Sequence, residues 1–104
     1  MLRELAHVIR RRIRKDEIFA LYGGDEFCIV LPEAEPHGVL EFAETIRSIV
    51  ENHVFEFESE RIKVTISLGI AHLQSSMEGP KGLIKAADVK LYESKNAGRN
   101  RVCA

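Results

Sequence analysis

Residues 20–33 read "ALYGGDEFCIVLPE", two glycines and two adjacent carboxylates set between two apolar runs. Residues 18–22 and 27–31 are apolar and partly β-branched, and the Gly23-Gly24 pair between them is a hairpin signal. Glycine takes positive φ without the clash a side chain would meet, so the tip can turn sharply. Asp25 and Glu26 then stand side by side where the chain reverses. Neighbouring carboxylates destabilise each other unless a cation offsets them. Mg²⁺, held by one or two carboxylates plus substrate phosphates, is a cation of the right kind. Successive strand residues point to opposite faces, so the two acids are not expected to grip one ion in the same way. A decorated surface turn is the plain alternative, because Asp and Gly are common turn residues.

Outward from the tip, "FCIVL" does not alternate, which predicts a strand buried on both faces, with Cys28 a buried free thiol and Pro32 ending the run. Upstream, Leu2, Leu5, Ala6, Ile9 and Ile13 recur at helical spacing and predict an amphipathic helix over 2–14. Its end, "RRRIRK", is basic, as the negative end of a helix dipole favours. Downstream, Val39, Phe42, Ala43, Ile46, Ile49 and Val50 predict a second helix over roughly 36–52. "VFEFE" reads as a short edge strand. Ile62, Val64, Ile66, Leu68 and Ile70 alternate with small or polar residues and predict a strand with one apolar face. Gly79 and Pro80 read as loop. Leu83, Ile84, Ala87 and Leu91 mark a third helix stopped by Gly98, and "NRVCA" ends the chain as a short strand. The order predicts one α+β domain, with helices packed on a mostly antiparallel sheet.

The chain has 104 residues and a formal net charge of -1, so no global field favours a nucleic acid polymer or a membrane. No apolar run approaches the roughly 20 residues of a membrane span. The two cysteines, Cys28 and Cys103, match no metal spacing and fit a reducing cytoplasm. His7, His37, His53 and His72 have no ligand spacing either. Asp88 is expected to tether a neighbouring loop or cap. Tyr22, Phe19 and Phe27 are expected in the core.

A second cluster bears on the acidic tip. "ADVKLYESKNAGRN" carries Lys95 and Arg99 one helical turn apart across a helix end. Both can reach one group of phosphate oxygens, Lys as a point charge and Arg as a fork. Two solvated cations are the bland alternative.

Taken together, these stretches resemble the GGDEF domains, the diguanylate cyclases. "YGGDEF" between apolar strands resembles the family's signature hairpin, "VTISLGIA" its following core strand, and "AADVKLYESKNAGRN" its last helix and phosphate-binding end. The resemblance covers nearly all of the chain. It implies a nucleotide-cyclase-like fold related to the ferredoxin-like fold. It also implies condensation of two GTP molecules into cyclic di-GMP by two facing domains, hence a homodimer, with Mg²⁺ as cofactor. Gly23 and Gly24 would let the backbone approach the nucleotide. Asp25 falls at the metal-ligand position, and Glu26 would assist at the metal or in activating the hydroxyl. Lys95 and Arg99 fall where the terminal phosphates are held.

The resemblance also has gaps. A full domain of the family carries an earlier strand and helix, which supply another metal-binding Asp and the residues that read guanine. Nothing in residues 1–17 stands in for them, so these residues read as a partial domain, 1–104. That strand lies between the "FCIVL" and "VTISLGIA" strands. Each buried ladder group left unpaired costs about 1–3 kcal/mol, against a domain stability of about 5–15 kcal/mol. The expectation is rearrangement: the two strands close on each other, or a second copy fills the gap by exchange. The family's product-binding R-x-x-D motif is matched by Arg14 with Glu17 in place of Asp, and the helix position of a second arginine is Thr45. Leu21 replaces an arginine before Tyr22. Product inhibition is therefore not expected to survive intact. Three readings stand: a cyclase core inactive as this chain alone, a degenerate module that binds nucleotide or dimerises without catalysis, and a structural fragment without ligand.

Overall fold

The computed structural model describes residues 2–14, 18–21, 26–32 and 34–104. The tip residues Tyr22, Gly23, Gly24 and Asp25, and Glu17 of the regulatory match, lie outside the described residues, as does the side chain of Phe19. Helix α1 spans Leu2–Arg10, β1 Ile18–Leu21, β2 Phe27–Val30 and α2 Pro36–Asn52. Then come β3 (Phe55–Phe57), β4 (Glu60–Ile62), β5 (Leu68–Gly69), α3 (Gly79–Asn96) and β6 (Val102–Cys103). The architecture is α+β.

α1 ends before the apolar periodicity does. Arg12 and Ile13 donate to the carbonyls of Ile9 and Arg10 at 2.9 and 3.1 Å, a tightened last turn rather than continued α-helix. α2 matches its expected limits. Pro36 opens it, where a missing N–H costs nothing. α3 begins earlier than expected. Gly79 and Pro80 are its first residues and not a loop, because proline's fixed φ also suits a first helical turn.

The core lies between α1, α2 and β3. Val8, Ile9, Ile46, Val50 and Phe55 are buried, and Leu5, Ile29, Phe42, Ile49, Val64 and Ile66 pack against them. The apolar stripes read from the helix periodicities are therefore the ones that meet. α3 packs instead on β5 and β6. A Cβ on Gly69 would stand 2.2 Å from the backbone N of Leu91, so only glycine lets helix and strand approach this closely.

Among the described residues the strands form three two-stranded sheets: β1–β2 and β3–β4 antiparallel, β5–β6 parallel. Three expectations need correction. β2 is half-buried, and Val30 is exposed, so the run is not covered on both faces. Cys28 is accordingly a half-buried thiol. The long alternating strand over 62–71 condenses to Leu68–Gly69, because a ladder needs a partner and β6 offers Val102–Cys103 only. Lastly, β2 and β5 do not close on each other. Each pairs with its own partner, and the two sheets share no ladder among the described residues.

Candidate functional site

β1 and β2 pair antiparallel in register from Ile18↔Val30 to Leu21↔Phe27, the ladder of a hairpin. Glu26 is the first described residue after the tip. Its carboxylate Oε1 lies 3.9 Å from Lys95 Nζ in the last turn of α3. The side chains are 37% and 36% exposed, so solvent reaches both. A contact of this length and exposure is a weak ion pair that a phosphate or a metal can displace. It joins the acidic hairpin to the cationic helix end, the two stretches that the sequence separates by nearly seventy residues.

Beyond Lys95 the helix closes through backbone bonds. Ala97 N–H donates to the Glu93 carbonyl at 2.9 Å and Arg99 N–H to the Ser94 carbonyl at 3.0 Å. Gly98, Arg99 and Asn100 have φ values of 122°, 63° and 48°, three successive positive-φ residues. The Arg99 side chain is exposed and makes no hydrogen bond or ion pair among the described residues. Ser94 is fully buried, and its Oγ donates to the Arg101 carbonyl at 2.7 Å, holding the returning chain against the helix.

Behind the turn stands a polar group the sequence reading missed. Arg47 Nε bonds both oxygens of Glu44 at 2.9 and 3.0 Å, while Nη1 reaches Glu51 at 3.2 Å and Asn100 Oδ1 at 2.9 Å. Asn100 Nδ2 donates to Glu51, and Asn100 N–H donates to Ser67 Oγ at 3.2 Å. The Glu44 carboxyl is held below its ordinary value, first by the hydrogen bond from Arg47. The Glu51 carboxyl is lowered first by Asn100 and then by Arg47. Arg47 is pushed further toward the charged state, chiefly by Glu44. The spacing of Arg47 and Glu51 on α2 was the available sequence signal, but it does not point to Asn100.

A cavity of about 370 Å³ is lined by Arg12, Arg14, Phe42 and Thr45, among others. It brings together the two positions, Arg14 and Thr45, that the resemblance associates with product binding. Asp88, expected to tether a loop, is exposed and its side chain makes no bond among the described residues. Among the described residues no three His, Cys, Asp or Glu side chains converge on one point. An ion at Glu26 would need Asp25 and phosphate oxygens to complete its shell. The hard carboxylate oxygen of Glu26, turned toward the cationic helix end, suits such an ion.

No described helix is long and apolar enough to cross a membrane. The model of the family "Diguanylate cyclase, GGDEF domain" matches residues 1–101. Diguanylate cyclase A of Treponema denticola is 37% identical over 102 residues, covering 98% of this chain and 28% of that protein. The chain thus spans little more than a quarter of that relative. The coiled coil and GGDEF domain of DgcB from Caulobacter crescentus, in complex with c-di-GMP, superposes with a TM-score of 0.91 at 32% identity, over 99% of this chain and 55% of that one. The active GGEEF domain of a diguanylate cyclase from Vibrio cholerae gives a TM-score of 0.83 at 29% identity, over 98% of this chain and 64% of that one. With the family match spanning nearly every residue and the hairpin and last helix meeting as described, the chain belongs to the GGDEF domain family of diguanylate cyclases.

Proposed function

We propose that this chain carries the triphosphate-holding part of a diguanylate cyclase site. Asp25 and Glu26 hold Mg²⁺ at the hairpin, and Lys95 and Arg99 take the terminal phosphates of GTP. Gly23 and Gly24 let the backbone approach the nucleotide. The observation that supports this reading is the 3.9 Å approach of Lys95 Nζ to Glu26 Oε1, one cation of the proposed set beside one of its acids. Mg²⁺ there would neutralise phosphate charge. In the complete reaction two such domains face each other as a homodimer, each holding one GTP. The 3′-hydroxyl of one GTP loses its proton, with Glu26 assisting, as its oxygen bonds to the α-phosphorus of the other and the bond to pyrophosphate breaks; two such steps give cyclic di-GMP and two pyrophosphates. The protein's part is positioning and charge neutralisation.

For these residues by themselves we infer binding without turnover. The separation of β1–β2 from β5–β6 supports this, because among the described residues the hairpin is not tied by a continuous sheet to the rest of the site. Calorimetric titration with GTP and Mg²⁺ tests the reading. Weak binding is expected, reduced about tenfold or more by Lys95→Ala, since a hydrogen bond to a charged group contributes about 1.5–3 kcal/mol. An unchanged isotherm for Lys95→Ala overturns the phosphate assignment. Cyclic di-GMP formed at an ordinary enzymatic rate overturns the absence of turnover.

A further inference from the structure

Arg99 has no side-chain partner among the described residues, so its backbone alone sets the region its guanidinium can reach. That backbone is unusual. Arg99 and Asn100 both occupy the left-handed region, at φ 63° and 48°, where a Cβ crowds the neighbouring carbonyl. Two such residues in succession persist only where the surroundings fix them. Here Asn100 is gripped on every side. Its Oδ1 accepts from Arg47 Nη1 at 2.9 Å, its Nδ2 donates to Glu51, and its backbone N–H donates to Ser67 Oγ at 3.2 Å. Arg101 Nε adds a bond to the Arg99 carbonyl at 3.1 Å.

Arg47 is the hub. Its side chain is only 15% exposed and spends its planar fork on Glu44, Glu51 and Asn100 together. An ammonium, as a single point of charge, cannot reach all three in this geometry. Arg47 sits on α2, which is anchored in the core through the fully buried Ile46 and Val50. The clamp therefore ties the turn to a helix whose inner face is buried in the core.

We propose that Arg47, acting with Glu51 through Asn100, is a positioning residue of the triphosphate site that sets the left-handed turn and so aims Arg99 beside Lys95. The inference rests on the nucleotide reading above. Arg47 touches no phosphate; it determines where Arg99 stands when the phosphate arrives.

The test is a double-mutant cycle on affinity for GTP with Mg²⁺. Arg47→Lys keeps the charge and much of the stem but loses the fork. It is expected to weaken binding about tenfold and to speed amide exchange of Arg99 and Asn100. In an Arg99→Ala background the same change is expected to have no further effect on affinity, because no guanidinium remains to be aimed. Asn100→Gly is a second variant that folds easily, since glycine tolerates the turn's φ. It removes the grip and should reproduce Arg47→Lys. A general loosening of the domain would lower affinity equally in both backgrounds, and that additive result overturns the inference alone. Failure of the unaltered protein to bind GTP with Mg²⁺ overturns the nucleotide reading, and the positioning role falls with it.

Discussion

The turn after α3 and the β1–β2 hairpin meet at Lys95 and Glu26, yet the molecule holds them by different means. The turn is tied by directional bonds. Ser94, Ser67, Glu51 and Arg47 each fix one of its groups, and α2 behind it rests on the buried core. The hairpin is held by its own ladder and, among the described residues, by Ile29 of β2 packing on the core cluster. The backbone of one wall of the candidate site is thus preset, and the other wall meets the core cluster, among the described residues, at Ile29. A site that must accept a highly charged ligand benefits from a fixed backbone beneath its cations, because part of their ordering then precedes binding. The acidic wall, joined to it among the described residues by one long ion pair, can yield to a phosphate or metal.

The largest expected effect exploits this asymmetry. Phe55 is fully buried beneath α1 and α2, and Phe55→Ala should cost about 3–5 kcal/mol in urea unfolding. Ile29→Ala removes a core contact of the hairpin from a half-buried site and should cost about 1–2 kcal/mol, less than a full core truncation. Hydrogen exchange separates the two. Phe55→Ala should raise exchange throughout α1 and α2, while Ile29→Ala should raise it chiefly in the Phe27–Val30 ladder. Equal costs, or uniform exchange in both variants, would erase the distinction between the walls.

Much of the preset wall was not legible in the sequence, for a physical reason. α2 was readable to its ends because Val39, Phe42, Ile46 and Val50 are one local stripe opened by Pro36. The pairing of Arg47 with Asn100 spans 53 positions and leaves no local pattern. Strand length failed in the same way. The alternation from Ile62 to Ile70 reports which side chains face inward, and Val64, Ile66 and Ile70 do, but it carries no information on whether a neighbour exists to form a ladder. The positions of Lys95 and Glu26 were named by motif, but their 3.9 Å meeting required the fold.

An intermediate effect should appear in acid. Glu44 and Glu51 at the turn, and Glu4 through its 2.9 Å contact with His53, are all held below the ordinary carboxylate value. For Glu4 the first cause is the hydrogen bond with His53. A carboxyl whose folded pKa is depressed stabilises the fold above its unfolded value, and that contribution is lost as pH falls through the folded value. Stability should therefore hold from neutral pH to about pH 5 and decline below it. Asn100 amide exchange should rise over the same window, before global unfolding. Glu51→Gln should flatten that local response and leave the Glu4–His53 part of the stability profile in place. An Asn100 exchange rate that tracks global unfolding alone would show that the carboxylates do not hold the turn.

The smallest effect on stability is expected at the meeting point itself. Glu26 and Lys95 are both more than a third exposed and 3.9 Å apart, so Glu26→Gln should change unfolding free energy by less than about 0.5 kcal/mol. Its effect on ligand binding should be different in kind. Removing a carboxylate that only neutralises Lys95 would free the cation and strengthen binding of a bare triphosphate. Removing a carboxylate that also holds Mg²⁺ would weaken the dependence of binding on the metal. Titrating GTP with and without Mg²⁺ therefore reads the two roles separately. The proposed site requires that Glu26→Gln improve or preserve affinity without the metal and reduce the gain that the metal brings. If that gain is unchanged, Glu26 serves as a counter-ion to Lys95, and the metal must be assigned to Asp25 and the phosphates without it.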